Sequence, residues 1–170
     1  TYADAVKEAG HSCPTASGAY RIAQLGLDTL YPDSYPVRSE IEVQAGGSRD
    51  DAAYGVMGRI ISYVTGATDD DGFSGLAGGH GDRRDLLYFD AFDPDIAAPT
   101  FRFRRTDTDE TVEVTYHVSD IPDGGPAIGN LQRILEGSAS EEQQAAFAEA
   151  WHRRVQVVLD DDSLFTVETV

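Results

Sequence analysis

Thr100-Phe101-Arg102-Phe103-Arg104-Arg105, then Thr106-Asp107-Thr108-Asp109-Glu110, then Thr111-Val112-Glu113-Val114-Thr115-Tyr116-His117-Val118 is the stretch on which the fold turns. Apolar and polar residues alternate through both outer segments, the period of a strand with one buried face. The polar segment between them is a turn, so the two strands predict an antiparallel hairpin. A third alternating run precedes them. Val37, Ser39, Ile41, Val43 and Ala45 share one face, and Arg38, Glu40, Glu42 and Gln44 share the other. Asp85–Phe92 and Leu164–Val170 are further strand candidates.

Helical periodicity fills the rest. Ala19, Ile22, Ala23, Leu27, Leu30 and Tyr31 recur at steps of three and four within 15–31, and Pro32 stops that run. Ala53, Val56, Met57, Ile60, Ile61 and Val64 form the stripe of a second helix over 51–65, closed by Gly66. A short helix is expected over Ala127–Glu136. A longer one starts from Ser140, where Gln143 completes a capping box and Phe147, Ala150, Trp151, Val155, Val158 and Leu159 supply the apolar face. Helices interspersed with mostly antiparallel strands predict an α+β fold rather than a doubly wound one. Asp123-Gly124-Gly125-Pro126 marks a break. The expected organisation is an α+β domain over 1–126 and a largely helical C-terminal extension over 127–170 packed on the same domain.

The 170 residues carry thirty acidic and thirteen basic side chains, a net charge of −17. Asp outnumbers Glu twenty to ten, and Lys7 is the only lysine. Such a surface repels nucleic-acid phosphates and anionic membranes, so neither is an expected partner. The Asp excess with little Lys is the pattern of a protein kept in concentrated salt, and is read as halophilic adaptation. No apolar run reaches the roughly 18 residues of a bilayer span. Residues 1–10 lack the charged start and apolar stretch of a signal peptide. The single Cys13 rules out an intramolecular disulfide framework and suits a reducing compartment. The expected location is therefore the cytoplasm.

Chemistry concentrates in Gly10-His11-Ser12-Cys13-Pro14. Cys13 stands where a helix should begin, with Pro14 suited to its first turn. Unpaired N–H groups and the helix dipole favour an anion at that place. An imidazole two residues before a sulfur offers two ligands on one short loop that suit zinc. A reactive thiol, with Cys13 as nucleophile and His11 as its base, and a purely structural Cys and His remain alternatives.

The same segment, followed by Gly18-Ala19-Tyr20-Arg21, resembles the opening of the FmdE family, named after a component of the molybdenum formylmethanofuran dehydrogenase. The signature of that family is G-H-x-C-P and then a glycine and an aromatic residue. The likeness runs on through Val37–Ala45, Thr65-Gly66-Ala67-Thr68, the glycine loop Gly72–Gly79, Asp85–Phe89, and the helix bearing Phe147, Trp151, Arg154 and Val155. It implies an α+β fold, a metal (zinc) bound through His11 and Cys13, and a homodimer. It also implies an accessory role beside a molybdenum or tungsten enzyme of the formylmethanofuran dehydrogenase type. The chain lacks the further cysteines and the cysteine-rich tail of many relatives, which leaves the other ligands open.

His80, in the glycine loop, is the candidate third ligand. His117 falls on the outward face of its strand, and His152 beside Arg153 and Arg154 reads as surface. Asp50 and Asp51 read as helix caps. Tyr20 reads as core, with a hydrogen bond near the site as the alternative. Arg83 and Arg84 are flanked by Asp82 and Asp85, which are expected to pair with them. The loop has no G-K-[ST] ending, so it is not a phosphate-binding P-loop.

Overall fold

In the computed structural model, which describes residues 1–170, the hairpin forms as the alternation predicts. Strands β3 (Thr100–Arg105) and β4 (Thr111–Tyr116) pair antiparallel, with Phe101 opposite Val114 and Phe103 opposite Val112. Strand β1 (Ile41–Ala45) adds antiparallel to β3, and β5 (Phe165–Thr169) adds antiparallel to β4. The two-residue strand β2 (Leu87–Tyr88) runs parallel to β1 at the edge. The sheet order is β2-β1-β3-β4-β5, and with five α-helices the fold is α+β.

One sheet face carries Ile41, Val43, Phe101, Phe103, Val112, Val114 and Tyr116, all buried. Helix α2 (Pro14–Leu30) lies on that face. It can lie close because Gly26 sits against the Phe103 ring and Gly18 against the Tyr116 ring, where a Cβ would collide. Residues 18, 22 and 26 are four apart, so both glycines and Ile22 share one side of the helix. Helices α1 (Tyr2–Ala9), α3 (Tyr54–Thr65) and α5 (Glu141–Asp160) pack around α2. The other sheet face is polar, and cross-strand pairs Arg104–Glu42 and Arg102–Glu113 run across it.

The helix ends follow their local chemistry. Ser140 and Gln143 cap α5 reciprocally, at 3.2 and 3.0 Å. Gly66, at φ +83°, closes α3 in the left-handed region. Asp51 accepts from the N–H groups of Ala53 and Tyr54, so the turn before α3 is organised where a helix start was expected. The helix itself begins at Tyr54.

Other elements differ from the sequence expectation, and the strand expected over Thr111–Val118 ends at Tyr116, with Val118 opening a 3-10 turn. Arg38–Glu40 form a 3-10 turn, so β1 begins at Ile41; Val37 on the expected inward face is 44% exposed and has no core to enter. The strand expected over 85–92 shrinks to Leu87–Tyr88, because Asp85 and Asp90 adopt φ of +55° and +51° on either side. The helix expected over 127–136 is a 3-10 segment, Gly125–Asn130, running into α4 (Leu131–Leu135). Helix α1 was not expected, since it is only eight residues long and its core-facing stripe, Tyr2, Ala5 and Ala9, is short and mostly alanine. The segment after the Gly124 break contributes Val158, Leu164 and Phe165 to the same core as the sheet. No helix is long and apolar enough to cross a membrane.

Candidate metal centre

The turn between α1 and α2 is set by its own residues. Gly10 ends α1 at φ +76°, a conformation glycine takes without steric cost. Cys13 is the N-cap of α2, with extended backbone, and Pro14 fills the first helical position. The Cys13 Sγ accepts the Ala16 N–H at 3.3 Å, so the sulfur takes the place a serine oxygen takes in an ordinary cap. Cys13 is 7% exposed. His11 is exposed, with Nδ1 3.1 Å from the Ala9 carbonyl oxygen. With Nδ1–H donating there, Nε2 is the nitrogen left with a free lone pair.

Three elements brace this turn, the adjoining α1 and the distant β4 and α5. Tyr2 of α1 places its hydroxyl 2.7 Å from Ser12 Oγ. Trp151 of α5 donates its indole N–H to the Ser12 carbonyl at 2.8 Å. Tyr116 of β4 donates its hydroxyl to the Pro14 carbonyl at 3.1 Å. Burial pushes the Tyr116 hydroxyl far above its ordinary range, so it stays a donor at any physiological pH. Ser17 adds bonds to the Cys13 and Pro14 carbonyls at 3.1 and 3.2 Å. The backbone carrying both candidate ligands is therefore held from α1, β4 and α5 at once. Sequence reading did not single out Tyr2, Ser12 or Tyr116 for this part. Tyr116 and Trp151 carried only the signal of core aromatics with a polar tip, which need a partner when buried.

The other candidates lie elsewhere. His80 stands exposed in the glycine loop, its backbone paired with that of Leu76 at 2.8 and 2.9 Å. No three or more His, Cys, Asp or Glu side chains are arranged to share an ion, so His80 is not gathered with His11 and Cys13. His117, just beyond β4, places Nε2 2.7 Å from Thr166 Oγ1 on β5. His152 is exposed on α5. Asp51 is committed to the α3 turn, and the N–H groups of Tyr54 and Ala53 hold its carboxyl below the usual range. Tyr20 packs its ring 5.8 Å from Tyr2. Arg84 pairs with Asp82 at 2.6 Å, whereas Arg83 pairs with neither flanking aspartate and lies over the Phe73 ring.

Two donors of the kind a borderline metal takes occur on this turn, an exposed His11 nitrogen and a buried Cys13 sulfur. Imidazole nitrogen and sulfur are the donors zinc takes, and two donors leave the remaining positions of a four-coordinate ion to groups from outside the turn. No hydrogen bond joins His11 to the Cys13 sulfur, and base activation of a thiol needs one. The chain matches no protein-family model and no curated protein.

Proposed function

We propose that the protein binds zinc through His11 Nε2 and Cys13 Sγ and acts as a metal-binding accessory protein rather than as a thiol-dependent enzyme. The observation that carries this reading is the pair of outer contacts on the two donors. Metal-binding histidines characteristically donate their other ring N–H to a carbonyl or carboxylate, as His11 Nδ1 is placed to do toward Ala9. A sulfur receiving a backbone N–H at a helix start sits where negative charge is favoured. The resemblance to the FmdE family supports the same ligand pair, and from it come the further proposals of a homodimer and of a molybdenum or tungsten enzyme as partner. The acidic surface supports a salt-filled cytoplasm as the setting.

Metal analysis of the purified protein tests the reading. Serine is among the best N-caps, so Cys13→Ser keeps an acceptor for the Ala16 N–H and leaves α2 intact. About one zinc per chain is expected, lost in Cys13→Ser and reduced in His11→Ala, with circular dichroism unchanged. His80→Ala is expected to keep its zinc. Full metal content in Cys13→Ser would refute the ligand assignment. A metal-free protein whose Cys13 alkylates rapidly near neutral pH would put the nucleophile reading in its place.

A further inference from the structure

We infer that the cleft between α2, the end of α3 and the glycine loop binds a small-molecule oxyanion, a phosphate or carboxylate, attached to an aromatic ring. In a chain with seventeen excess negative charges, cations are expected to find carboxylates. Eight of the twelve arginines do. Arg38 and Arg83 do not, and the fold brings these two together. A Cβ placed on Gly66 would lie 3.1 Å from Arg38 Cδ, 3.0 Å from Arg83 Cδ and 3.1 Å from Arg83 Nη1, so both side chains converge over the same residue.

Two like charges meet here because the site favours cations. Gly66 closes α3, whose last carbonyls carry the negative end of the helix dipole, and Arg38 Nη2 donates to the Val64 carbonyl at 3.3 Å. Arg83 lies over the Phe73 ring, 4.7 Å from its centroid. Neither arrangement consumes the donor capacity of the pair, and the Arg83 side chain makes no hydrogen bond within the protein. Guanidinium forks match the oxygens of carboxylate and phosphate two at a time, and an anion between them would also relieve their repulsion.

The surroundings indicate what the anion is attached to. Both arginines line a cleft of about 550 Å³, within the range of small-molecule sites. Its walls include Tyr20, Tyr63 and Phe73. Tyr63 is 49% exposed, and Phe73, one face of which carries the Arg83 guanidinium, is 40% exposed, so both rings keep apolar surface open to a ligand. Asp4 also lines the cleft, and its carboxylate is taken up by the Thr1 hydroxyl and by Lys7 at 3.0 Å. The acidic surface around the cleft disfavours a polyanion, so the match is one small anion and not a nucleic acid.

Calorimetric titration of the full chain with phenyl phosphate, benzoate and inorganic phosphate, at physiological ionic strength, is the test. Saturable binding of phenyl phosphate or benzoate is expected, and the tighter of the two identifies the headgroup. Arg38→Gln and Arg83→Gln should each weaken it about tenfold or more, while Arg133→Gln, an exposed arginine on α4, leaves it unchanged. Inorganic phosphate should bind more weakly than phenyl phosphate. Arg38 is exposed and Arg83 half-buried, and an unchanged melting temperature verifies the folding of both variants. If Arg38→Gln loosens the Gly66 turn, Arg83→Gln decides alone. Absence of saturation by either aromatic probe up to about 10 mM would overturn the inference. So would binding that Arg83→Gln leaves intact, or, where phenyl phosphate saturates, inorganic phosphate binding as tightly. Because the residues differ, Cys13→Ser should not alter this binding, and failure of one reading is distinguishable from failure of the other.

Discussion

Replacing Gly18 by alanine probes the contact that seats α2 on the sheet. On an isolated helix the change would stabilise by about 1 kcal/mol, since glycine carries the larger entropic cost of ordering. Here the new methyl group would enter the Tyr116 ring. The ring has nowhere to go: Tyr116 is fully buried, it stacks on Phe165 at 4.9 Å with an interplanar angle of 11°, and its hydroxyl is tied to the Pro14 carbonyl. Overpacking of this kind costs roughly 1–3 kcal/mol after relaxation, and here its upper part applies because ring and helix are both restrained. Set against the propensity gain, the net is a loss of about 1–2 kcal/mol. For a chain of this length that lowers the melting temperature by about 2–8 °C. Thermal unfolding followed by circular dichroism measures it, and a double-mutant cycle with Tyr116→Leu assigns it. On the Leu background the cost of Gly18→Ala should fall by about 1 kcal/mol or more. A Gly18→Ala protein as stable as the parent, or more so, would refute the close seating of α2 on β4.

Burial acts to raise the Glu42 carboxyl, but the hydrogen bonds from Arg104 and Gln44 outweigh it and hold the group below its ordinary value. Its contribution is therefore complete above about pH 4.5 and lost as the pH falls through the lowered folded value, so Glu42→Gln should shrink the drop in urea midpoint between pH 6 and pH 3. An unchanged drop would show that the Arg104–Glu42 pair adds nothing to acid sensitivity. Self-repulsion among thirty carboxylates predicts an unfolding midpoint that climbs steeply from dilute buffer to molar KCl, and a flat profile would refute the halophilic reading.

The β3–β4 hairpin was legible because strict alternation flanks a polar five-residue turn. Helices α2, α3 and α5 were legible because each carries an apolar stripe of several residues. Helix α1 was not, as Tyr2, Ala5 and Ala9 make a stripe of barely two turns, too short to stand out. Strand β2 was overextended because nothing local announces that Asp85 and Asp90 turn left-handed. At the site, the His11–Cys13 turn and the cap position of Cys13 could be read from five consecutive residues. Its bracing could not, because Tyr116 and Trp151 reach it across 102 and 139 positions of chain. The meeting of Arg38 and Arg83 is likewise tertiary: both neighbours of Arg83 are charged, and sequence alone favoured local pairing.

The stacking of Phe165 on Tyr116 has a consequence for the order of assembly. The Tyr116 ring, whose hydroxyl holds the Pro14 carbonyl, stacks on Phe165 of β5, some 150 positions beyond Cys13. At about 5–20 residues per second, roughly 8–30 seconds pass between synthesis of the thiol turn and of the strand behind its clamp. Through most of that interval the sulfur-bearing turn lacks two of its three braces, those from Tyr116 and Trp151. The full set of contacts on the Cys13 turn is therefore complete only after the distal strand has been made.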